Sequence, residues 1–330
     1  MTLSTSVVIP CYNVQDYLPE ALNSVAAQTL PVREIILVDD GSRIPIEKPA
    51  SWEGPPLTIL RTGNRGLAAA RNLGIQHGHG DLIAFLDADD LWHPRKVEVQ
   101  TSILEAKPDA VACYSQCLTK PGFFGFGPYP PVEVTSKEFL LVMWHSLFFP
   151  PSAVVVRRPT LVEVGCFREN LGNGEDIELW LRLLTRGRIE QAAEPLTEYR
   201  QHDQQFTKNV ARKMFGTKNA RRTMIQQHST MLIEAGIPQG KLWDAYRNDI
   251  LLVYYRREFR AARRLLWDYW LEHPGDLGIL KSALISLLPS SLVRACRGDL
   301  NGSSGPGSSH TSSHASWENE LRSIHRVLGR

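Results

Sequence analysis

The feature that most constrains the fold is a run of five apolar residues that ends in a cluster of acids. Residues 82–86 read Leu-Ile-Ala-Phe-Leu, and Asp87, Asp89 and Asp90 follow directly. Such a run is typical of a strand buried in a parallel sheet. In open α/β sheets, ligands bind at the carboxyl ends of the strands, which is where these acids lie. Because neighbouring carboxylates repel one another, the cluster favours a hard divalent cation such as Mg²⁺ or Mn²⁺.

A second interpretation of the same acids needs no metal. Asp90 caps a helix that continues through residues 91–92, with Pro94 in its first turn. The residues of this stretch leave both interpretations open.

Strands alternate with helices through the first part of the chain. Apolar runs at 6–10, 34–38 and 57–60 predict strands, while helical spacing predicts helices over about 15–28 and 66–76. This alternation predicts βαβ units, and hence an α/β fold with a mostly parallel, Rossmann-like sheet flanked by helices. Further elements are predicted at 94–106 (helix), 110–115 (strand), 120–131 (loop), 138–144 (helix), 152–156 (strand) and 175–185 (helix).

The charge of the chain is unevenly distributed. Residues 1–207 hold 18 Lys+Arg and 25 Asp+Glu, whereas residues 208–297 hold 16 and 7, and the last 33 residues hold three of each. The acidic front argues against a nucleic-acid-binding domain. We predict an α/β domain over 1–207, a basic helical C-terminal region over 208–298, and a flexible Gly/Ser-rich tail over 299–330 that ends in a short helix.

Cysteine usage and hydropathy predict the compartment. The five cysteines show neither a CxxC pair nor zinc-site spacing, and no secretory signal opens the chain. We therefore expect reduced thiols and a cytoplasmic protein. No segment reaches the roughly 18 uninterrupted apolar residues of a spanning helix.

Six short motifs, taken together, resemble the family 2 glycosyltransferases of bacterial type, which have the GT-A fold. They cover about residues 4–205. The resemblance implies that residues 1–207 form a nucleotide-diphospho-sugar transferase domain. The motifs, in chain order, are VVIPCYN at 7–13, EIILVDDGS at 34–42, NRGLAAARN at 64–72, FLDADD at 85–90, GEDIELW at 174–180 and YRQH at 199–202.

The first two motifs imply contacts to the nucleotide of a sugar donor. By the resemblance, Pro10 and Tyr12 line the base pocket, and Asp39 accepts hydrogen bonds from the base or the ribose. The residues alone fit a purely structural interpretation equally well, since Pro and Asn serve a strand-ending turn and Asp40 fits a common Asp-Gly-Ser turn.

The third motif opens a helix at Gly66, where the backbone can approach an anion closely. The resemblance places Gly66 and Arg71 beside the donor nucleotide. The alternative is an alanine-rich packing helix in which Arg71 makes a structural ion pair.

The acids at 87–89 correspond to the family's Asp-x-Asp motif. On an extended segment residues two apart face the same side, so Asp87 and Asp89 are expected to point into one cleft. The resemblance makes Asp89 the ligand of a divalent metal, Mn²⁺ or Mg²⁺, and makes Asp87 and Ala88 donor contacts. It gives His202 a place on the metal or the diphosphate, although a lone histidine is often structural.

Glu175 and Asp176 begin an amphipathic helix. Acids in a first turn stabilise a helix through its dipole, and the same field keeps Asp176 ionised near neutral pH, as a general base must be. The resemblance makes Asp176 the base that deprotonates the acceptor hydroxyl. Glu175 is expected to contact the acceptor or to be structural, and Trp180 to lie in the core rather than to form a sugar platform.

The resemblance implies an inverting, metal-dependent transfer of a sugar from a nucleoside-diphosphate donor, first of all a UDP-sugar, to an acceptor hydroxyl. The acceptor, a saccharide or a lipid-linked molecule in polysaccharide or glycoconjugate synthesis, is expected near 119–134 and 145–176. A non-catalytic nucleotide-sugar-binding or scaffold protein on the same fold is the alternative. A nicotinamide oxidoreductase is disfavoured, because no Gly-x-Gly-x-x-Gly follows the first strand.

The basic helical C-terminal region allows two interpretations. Its lysines and arginines, with an apolar stripe at 279–295, fit a peripheral contact with the anionic inner face of the cell membrane. They fit equally a helical cap packed on the catalytic domain.

Overall fold

A computed structural model describes residues 2–118, 144, 149–171, 174–200, 202, 210–255 and 259–287. In parts of the helices after residue 209 it describes the backbone alone. The loop predicted at 120–131, most of the helix predicted at 138–144, the end of the apolar stripe and the tail over 299–330 lie outside the described residues.

One mixed sheet organises the first part of the chain. The strands are β1 (Thr5–Cys11), β2 (Glu34–Asp39), β3 (Leu57–Arg61), β4 (Leu82–Phe85), β5 (Leu91–Trp92), β6 (Ala110–Leu118), β7 (Val154–Arg157) and β8 (Arg188–Glu198). Their order in the sheet is β3-β2-β1-β4-β7-β6-β8-β5. Four of the seven described strand pairs are parallel, which confirms the predicted mostly parallel α/β sheet.

Helices flank this sheet and continue beyond it. The described helices are α1 (Leu18–Ala26), α2 (Leu67–His77), α3 (Lys96–Ala106), α4 (Arg158–Glu163), α5 (Glu175–Leu183), α6 (Val210–Glu234), α7 (Asp244–Tyr255), α8 (Phe259–Glu272) and α9 (Leu277–Ser286). Single 3₁₀ turns occur at Pro151–Ala153 and Gln239–Lys241.

The core forms where helices cover the buried strands. β1 is buried along its whole length, and α1 turns Leu18, Ala21, Leu22 and Val25 inward at helical spacing. Helix α2 approaches β1 closely at Gly74, because a Cβ there would lie 2.3 Å from Val8 Cγ1. Gly74 thus allows α2 to lie close against β1.

Three features of the structure differ from the sequence-based expectation. The residues after Asp90 form β5 rather than a helix, and α3 begins only at Lys96. Strand β8 was not predicted, because it carries no regular alternation, contains Pro195 and pairs with β6 through shifts of register. The short α4 was not predicted either.

The contacts divide the chain into two compact units, 1–239 and 240–330. The first unit includes α6, in which Asn219 Nδ2 donates to the Leu171 carbonyl at 3.3 Å. The division therefore falls after α6, later in the chain than the boundary predicted at 207. Within the second unit, Asp276 caps α9 by accepting from the Ile279 N–H at 3.0 Å.

Two smaller findings concern the cysteines and the hydropathy of the helices. Cys11, Cys113, Cys117 and Cys166 are all free thiols, as predicted for the described cysteines. Along the described part of the chain, no helix has both the length and the apolar composition needed to cross a membrane.

Candidate active site

Asp39, the last residue of β2, is buried and held by protein donors. Its carboxylate accepts hydrogen bonds from the Ser42 N–H at 2.8 Å, the Ile46 N–H at 3.3 Å and Arg61 Nη1 at 2.8 Å. Burial raises the pKa of Asp39, but the bonds from Ser42 and Ile46 and the charge of Arg61 outweigh burial, so the pKa lies below its ordinary value. Asp39 therefore remains ionised and fixes the loop that follows β2.

Asp40 shapes the loop that leads into α2. Its carboxylate accepts from the Thr62 hydroxyl at 2.5 Å and from the N–H groups of Arg65 and Gly66, both at 2.7 Å. Gly66 is the N-cap of α2 and has a φ of 97°, which side-chain-bearing residues rarely adopt. A Cβ at Gly66 would meet no atom within 4 Å, so this backbone borders open space.

The residues at the end of β1 lie beside that loop. Pro10 is buried within β1 and pairs with Val38 of β2, whereas Tyr12 is 48% exposed. The Asn13 N–H donates to Ser42 Oγ at 3.0 Å, which ties the two loops together. Of the two predicted base-pocket residues, Tyr12 is the one with an accessible side chain.

Residues 87–90, which we call the acidic turn, follow β4. The Asp90 N–H donates to the Asp87 carbonyl at 2.9 Å and closes a turn, so the expectation of an extended segment is wrong. The chain bends here because β4 and β5 pair with different strands. The Asp87 and Asp89 side chains are nevertheless both about a quarter exposed, at 24% and 23%, while Ala88 is buried between them.

Asp90 is a buried anchor rather than a helix cap. Its Oδ2 accepts from the Ser152 hydroxyl at 2.5 Å, and its Oδ1 accepts from the Arg200 N–H at 3.2 Å. Burial and the two neighbouring carboxylates raise the pKa of Asp90 well above its ordinary value. The capping interpretation is wrong because β5 intervenes before α3.

Asp89 pairs with His202 across the cleft. Asp89 Oδ2 lies 2.9 Å from His202 Nε2, and the imidazole stacks on Tyr17 with the ring centroids 4.5 Å apart. Burial and the charge of Asp87 raise the pKa of Asp89, although His202 opposes them. His202 Nδ1 is buried and has no partner among the described residues.

The Asp89–His202 pair brings one carboxylate and one imidazole together. Within the described part of the chain, no group of three or more His, Cys, Asp or Glu side chains is arranged to hold a metal. Mg²⁺ is commonly bound by one or two protein carboxylates together with substrate phosphates and water. Asp89 and His202 would supply two protein ligands of such an ion, and substrate phosphates and water would supply the others.

Arg71 joins the acidic turn to the start of α5. It is 1% exposed, and its Nη2 lies 2.7 Å from Asp87 Oδ1 while its Nη1 lies 2.9 Å from Glu175 Oε1. The guanidinium also lies over the Phe167 ring, 5.3 Å from the centroid. The geometry matches the second interpretation of Arg71, an internal ion pair, and places one buried cation between two acidic segments.

Glu175 and Asp176 begin α5 behind Gly174, whose φ is 76°. Burial and the charge of Asp176 raise the pKa of Glu175 to about 7, against the effect of Arg71. Burial also raises the pKa of Asp176 above its ordinary value, despite Arg71 and the Ile177 N–H, which donates to Asp176 Oδ1 at 2.8 Å. Burial thus outweighs the helix-start field that was expected to dominate. Trp180, one turn further, is fully buried among aromatic rings, as expected of a core residue.

Two residues that sequence reasoning did not assign also hold the acidic turn. Ser152 binds Asp90 and accepts from the Asp87 N–H at 3.0 Å. The Arg200 guanidinium donates to the Asp89 carbonyl, to Glu20 and, at 3.1 Å, to the Tyr17 carbonyl. Arg200 lies in the YRQH motif, which was a signal for it; Ser152 had none, because its partners are more than 60 positions away.

Solved structures of similar fold are glycosyltransferases. Staphylococcus aureus TarS in complex with UDP-GlcNAc aligns with a TM-score of 0.61 and 16% identity, over 81% of this chain and 80% of that one. The mannosyltransferase PcManGT from Pyrobaculum calidifontis, in complex with GDP-Man and Mn²⁺, aligns with a TM-score of 0.52 and 16% identity. The alignment covers 91% of this chain and 89% of that one. At these identities the likeness shows the fold, which is GT-A.

Sequence comparisons match part of the chain to a known family. The family described as Glycosyl transferase family 2 matches residues 6–165. An uncharacterized glycosyltransferase of Rickettsia typhi is 30% identical over 210 residues, 61% of this chain and 65% of the relative. An uncharacterized glycosyltransferase of Rickettsia felis is 32% identical over 197 residues, which are 56% of this chain and 31% of the relative. Residues 6–165, slightly less than half of the chain, therefore resemble the family 2 glycosyltransferases, and the chain spans less than two thirds of the length of these relatives.

Proposed function

We propose that this protein transfers a sugar from a nucleoside-diphosphate donor to an acceptor hydroxyl with inversion at the anomeric carbon. One observation carries the proposal. Arg71 bridges Asp87 and Glu175 at 2.7 and 2.9 Å, and so holds the acidic turn beside the start of α5. The proposed donor contact Asp87 and the start of α5, which carries the proposed base Asp176, thereby lie on two sides of one buried cation.

Asp176 is the proposed general base. The Ile177 N–H fixes Asp176 Oδ1, while Oδ2 accepts no hydrogen bond from the described residues. Oδ2 is therefore free to take the proton of the acceptor hydroxyl as its oxygen attacks the anomeric carbon from the face opposite the leaving diphosphate. A pKa raised by burial suits this task, because a general base works best with a pKa near the operating pH.

The donor pocket is assigned to the loops after β1, β2 and β4. Tyr12 offers an exposed ring to the nucleotide base, and the open backbone at Gly66 leaves room for the donor. The similar structures hold UDP-GlcNAc in one case and GDP-Man in the other, which supports a nucleoside-diphosphate sugar. A UDP-sugar is our first candidate. The pocket residues we assign are Pro10, Tyr12, Asp39, Gly66, Asp87 and Ala88.

Asp89 and His202 are the proposed protein ligands of Mn²⁺ or Mg²⁺. Their oxygen and nitrogen atoms lie 2.9 Å apart, and His202 Nδ1 is left without a partner among the described residues. The ion, when bound, stabilises negative charge on the departing diphosphate. Tyr17 packs against His202 and keeps the imidazole facing Asp89.

The proposed acceptor is a saccharide or a lipid-linked molecule used in polysaccharide or glycoconjugate synthesis. Within the second unit, Leu277, Leu284 and Leu287 are exposed along α9, and Lys281 lies among them on the same side. An exposed apolar face with a lysine supports a peripheral membrane contact that would bring the enzyme to such an acceptor.

A thermal-shift screen of UDP-, GDP- and dTDP-sugars, with and without Mn²⁺, tests the proposal. A true donor is expected to raise the melting temperature by mass action only when the metal is present. Asp89→Asn should abolish this shift, whereas Asp109→Asn, which changes an exposed acid directly before β6, should keep it. Sugar release from the donor that shifts the wild type then separates an enzyme from a non-catalytic binding protein. The proposal fails if no nucleotide sugar shifts the wild type.

A further inference from the structure

We infer that Ser152 is a positioning residue for the acidic turn, and through the turn for Asp89. The inference rests on the proposed donor and metal site. Ser152 would touch neither the donor nor the metal. Its role would be to set the conformation in which Asp89 faces His202.

The Ser152 hydroxyl bridges both ends of the acidic turn. It donates to Asp90 Oδ2 at 2.5 Å and accepts from the Asp87 N–H at 3.0 Å. Ser152 is 0% exposed, and Asp90 is 1% exposed. Water therefore does not reach the hydroxyl to replace either bond, and the first and last residues of the turn depend on one oxygen atom.

The backbone that carries this hydroxyl is itself held rigidly. The Ser152 carbonyl accepts from Trp92 Nε1 at 2.8 Å and from the Thr197 hydroxyl at 3.2 Å. The next carbonyl, that of Ala153, accepts from Gln100 Nε2 at 3.0 Å. Donors from β5, β8 and α3 thus fix the backbone of the 3₁₀ turn at Pro151–Ala153. The position of the Ser152 hydroxyl is therefore set independently of the acidic turn that it binds.

Arg200 holds the same turn from the other side. Its N–H binds Asp90 Oδ1, the oxygen that Ser152 leaves free, and its guanidinium binds the Asp89 carbonyl. The two residues together satisfy the buried Asp90 carboxylate. With Asp90 fixed at both oxygens, the position of Asp89 relative to His202 is fixed as well.

Removal of the hydroxyl should therefore weaken the site beyond its effect on stability. Ser152→Ala leaves the Asp87 N–H and one Asp90 oxygen buried without a partner, which favours a rearranged turn. Loss of a group that orients a metal ligand typically weakens metal binding by about 10- to 100-fold. We expect a loss in this range for binding that depends on Asp89.

Calorimetric titration of UDP into the full chain, over a series of Mn²⁺ concentrations, measures this effect. We expect Ser152→Ala to raise the Mn²⁺ concentration needed for half-maximal UDP binding by about 10-fold or more. Ser152→Thr, which restores the hydroxyl, should recover most of the loss. Ser6→Ala is the matched control, because the Ser6 hydroxyl is also fully buried, donates to Glu34 Oε1 at 2.7 Å and accepts from the Gly80 N–H at 2.8 Å, at the start of β1. It should leave the Mn²⁺ requirement unchanged.

The outcomes separate this inference from the proposed function. Failure of the wild type to bind UDP, GDP or dTDP with Mn²⁺ overturns the proposed site and the inference with it. Wild-type binding with an unchanged Mn²⁺ requirement in Ser152→Ala overturns the inference alone. If the alanine variant does not fold, Ser152→Cys, which keeps the volume and provides only a weak donor, must show the same increase.

Discussion

Two groups of acids in this protein are held in opposite ways. Asp39 ends β2 and Asp40 follows it, and each is satisfied by three hydrogen bonds from nearby donors. Asp87, Glu175 and their neighbours share one buried cation, Arg71. The pKa of Asp39 is lowered, whereas the pKa of Glu175 is raised to about 7.

The difference shows how one residue type serves two purposes. A carboxylate surrounded by hydrogen-bond donors is stable in its ionised form and orders the loop around it. Asp39 and Asp40 thus hold the loops that form the walls of the proposed donor pocket. An acid that is buried with other acids and too few donors is held in a less favourable state, which is typical of sites that perform acid–base chemistry or bind metal. The acids of the acidic turn and of the start of α5 are of the second kind, because burial raises the pKa of Asp89, Glu175 and Asp176.

The largest effect expected is that of Arg71→Met. This change leaves Asp87 and Glu175 without their buried counter-charge, and breaking a buried pair costs about 3–5 kcal/mol. We expect a loss of this order in the free energy of unfolding measured with urea, together with loss of transfer activity. Arg61→Met is the matched control at the other group of acids. Because Arg61 is 45% exposed, its loss should cost only about 1 kcal/mol, and an equal loss in both variants would contradict the distinction.

Glu175 should make the folded protein less stable as the pH rises. Its folded pKa of about 7 lies above its ordinary 4.5, so the folded state binds more protons than the unfolded state between those values. Stability then falls from pH 4.5 to 7, by about 3 kcal/mol at most. In Glu175→Gln this part of the pH dependence should disappear. Urea unfolding of both proteins from pH 5 to 8 measures it, and parallel curves would show that the Glu175 pKa is not raised.

Asp39 should show the opposite sign. Its folded pKa is lowered, so its contribution to stability is complete above the unfolded value near 3.8 and is lost as the pH falls through the folded value. The stability difference between wild type and Asp39→Asn should therefore shrink as the pH falls below 4. Chemical unfolding at pH 3 and 5 gives the comparison. A difference that grows towards low pH would place Asp39 with the second group of acids.

The sequence predicted the sheet better than it predicted the contacts at its edge. Short apolar runs correctly indicated β1, β2 and β4, because a short apolar run that ends in turn-forming or polar residues is typical of a buried strand. The conformation of the acidic turn depends on Ser152 and Arg200, which join it from 62 and 110 positions away in sequence. Local spacing carries no information about such distant partners, so the turn was expected to be extended and Asp90 to be a cap.

Arg71 shows a second limit of prediction from the sequence, which is that burial of a side chain cannot be read from its position in a helix. Its place one and a half turns into α2 allowed either a donor contact or an internal ion pair. Only the packing of α2 against β1, which Gly74 permits, shows that the side chain is fully enclosed. Burial also decided the pKa of Asp176, where the helix start alone suggested the opposite direction. Both results follow from depth in the fold, which a single sequence does not reveal.

The most direct test of the central claim is the turnover of Asp176→Asn with the donor that the wild type accepts. The amide keeps the oxygen that accepts from the Ile177 N–H, so the fold and the affinity for UDP with Mn²⁺ should be unchanged. Loss of a general base lowers the rate by about 10²- to 10⁴-fold, and we predict a fall of kcat in that range. Turnover equal to that of the wild type, with the same UDP affinity, would contradict the assignment of Asp176 as the base.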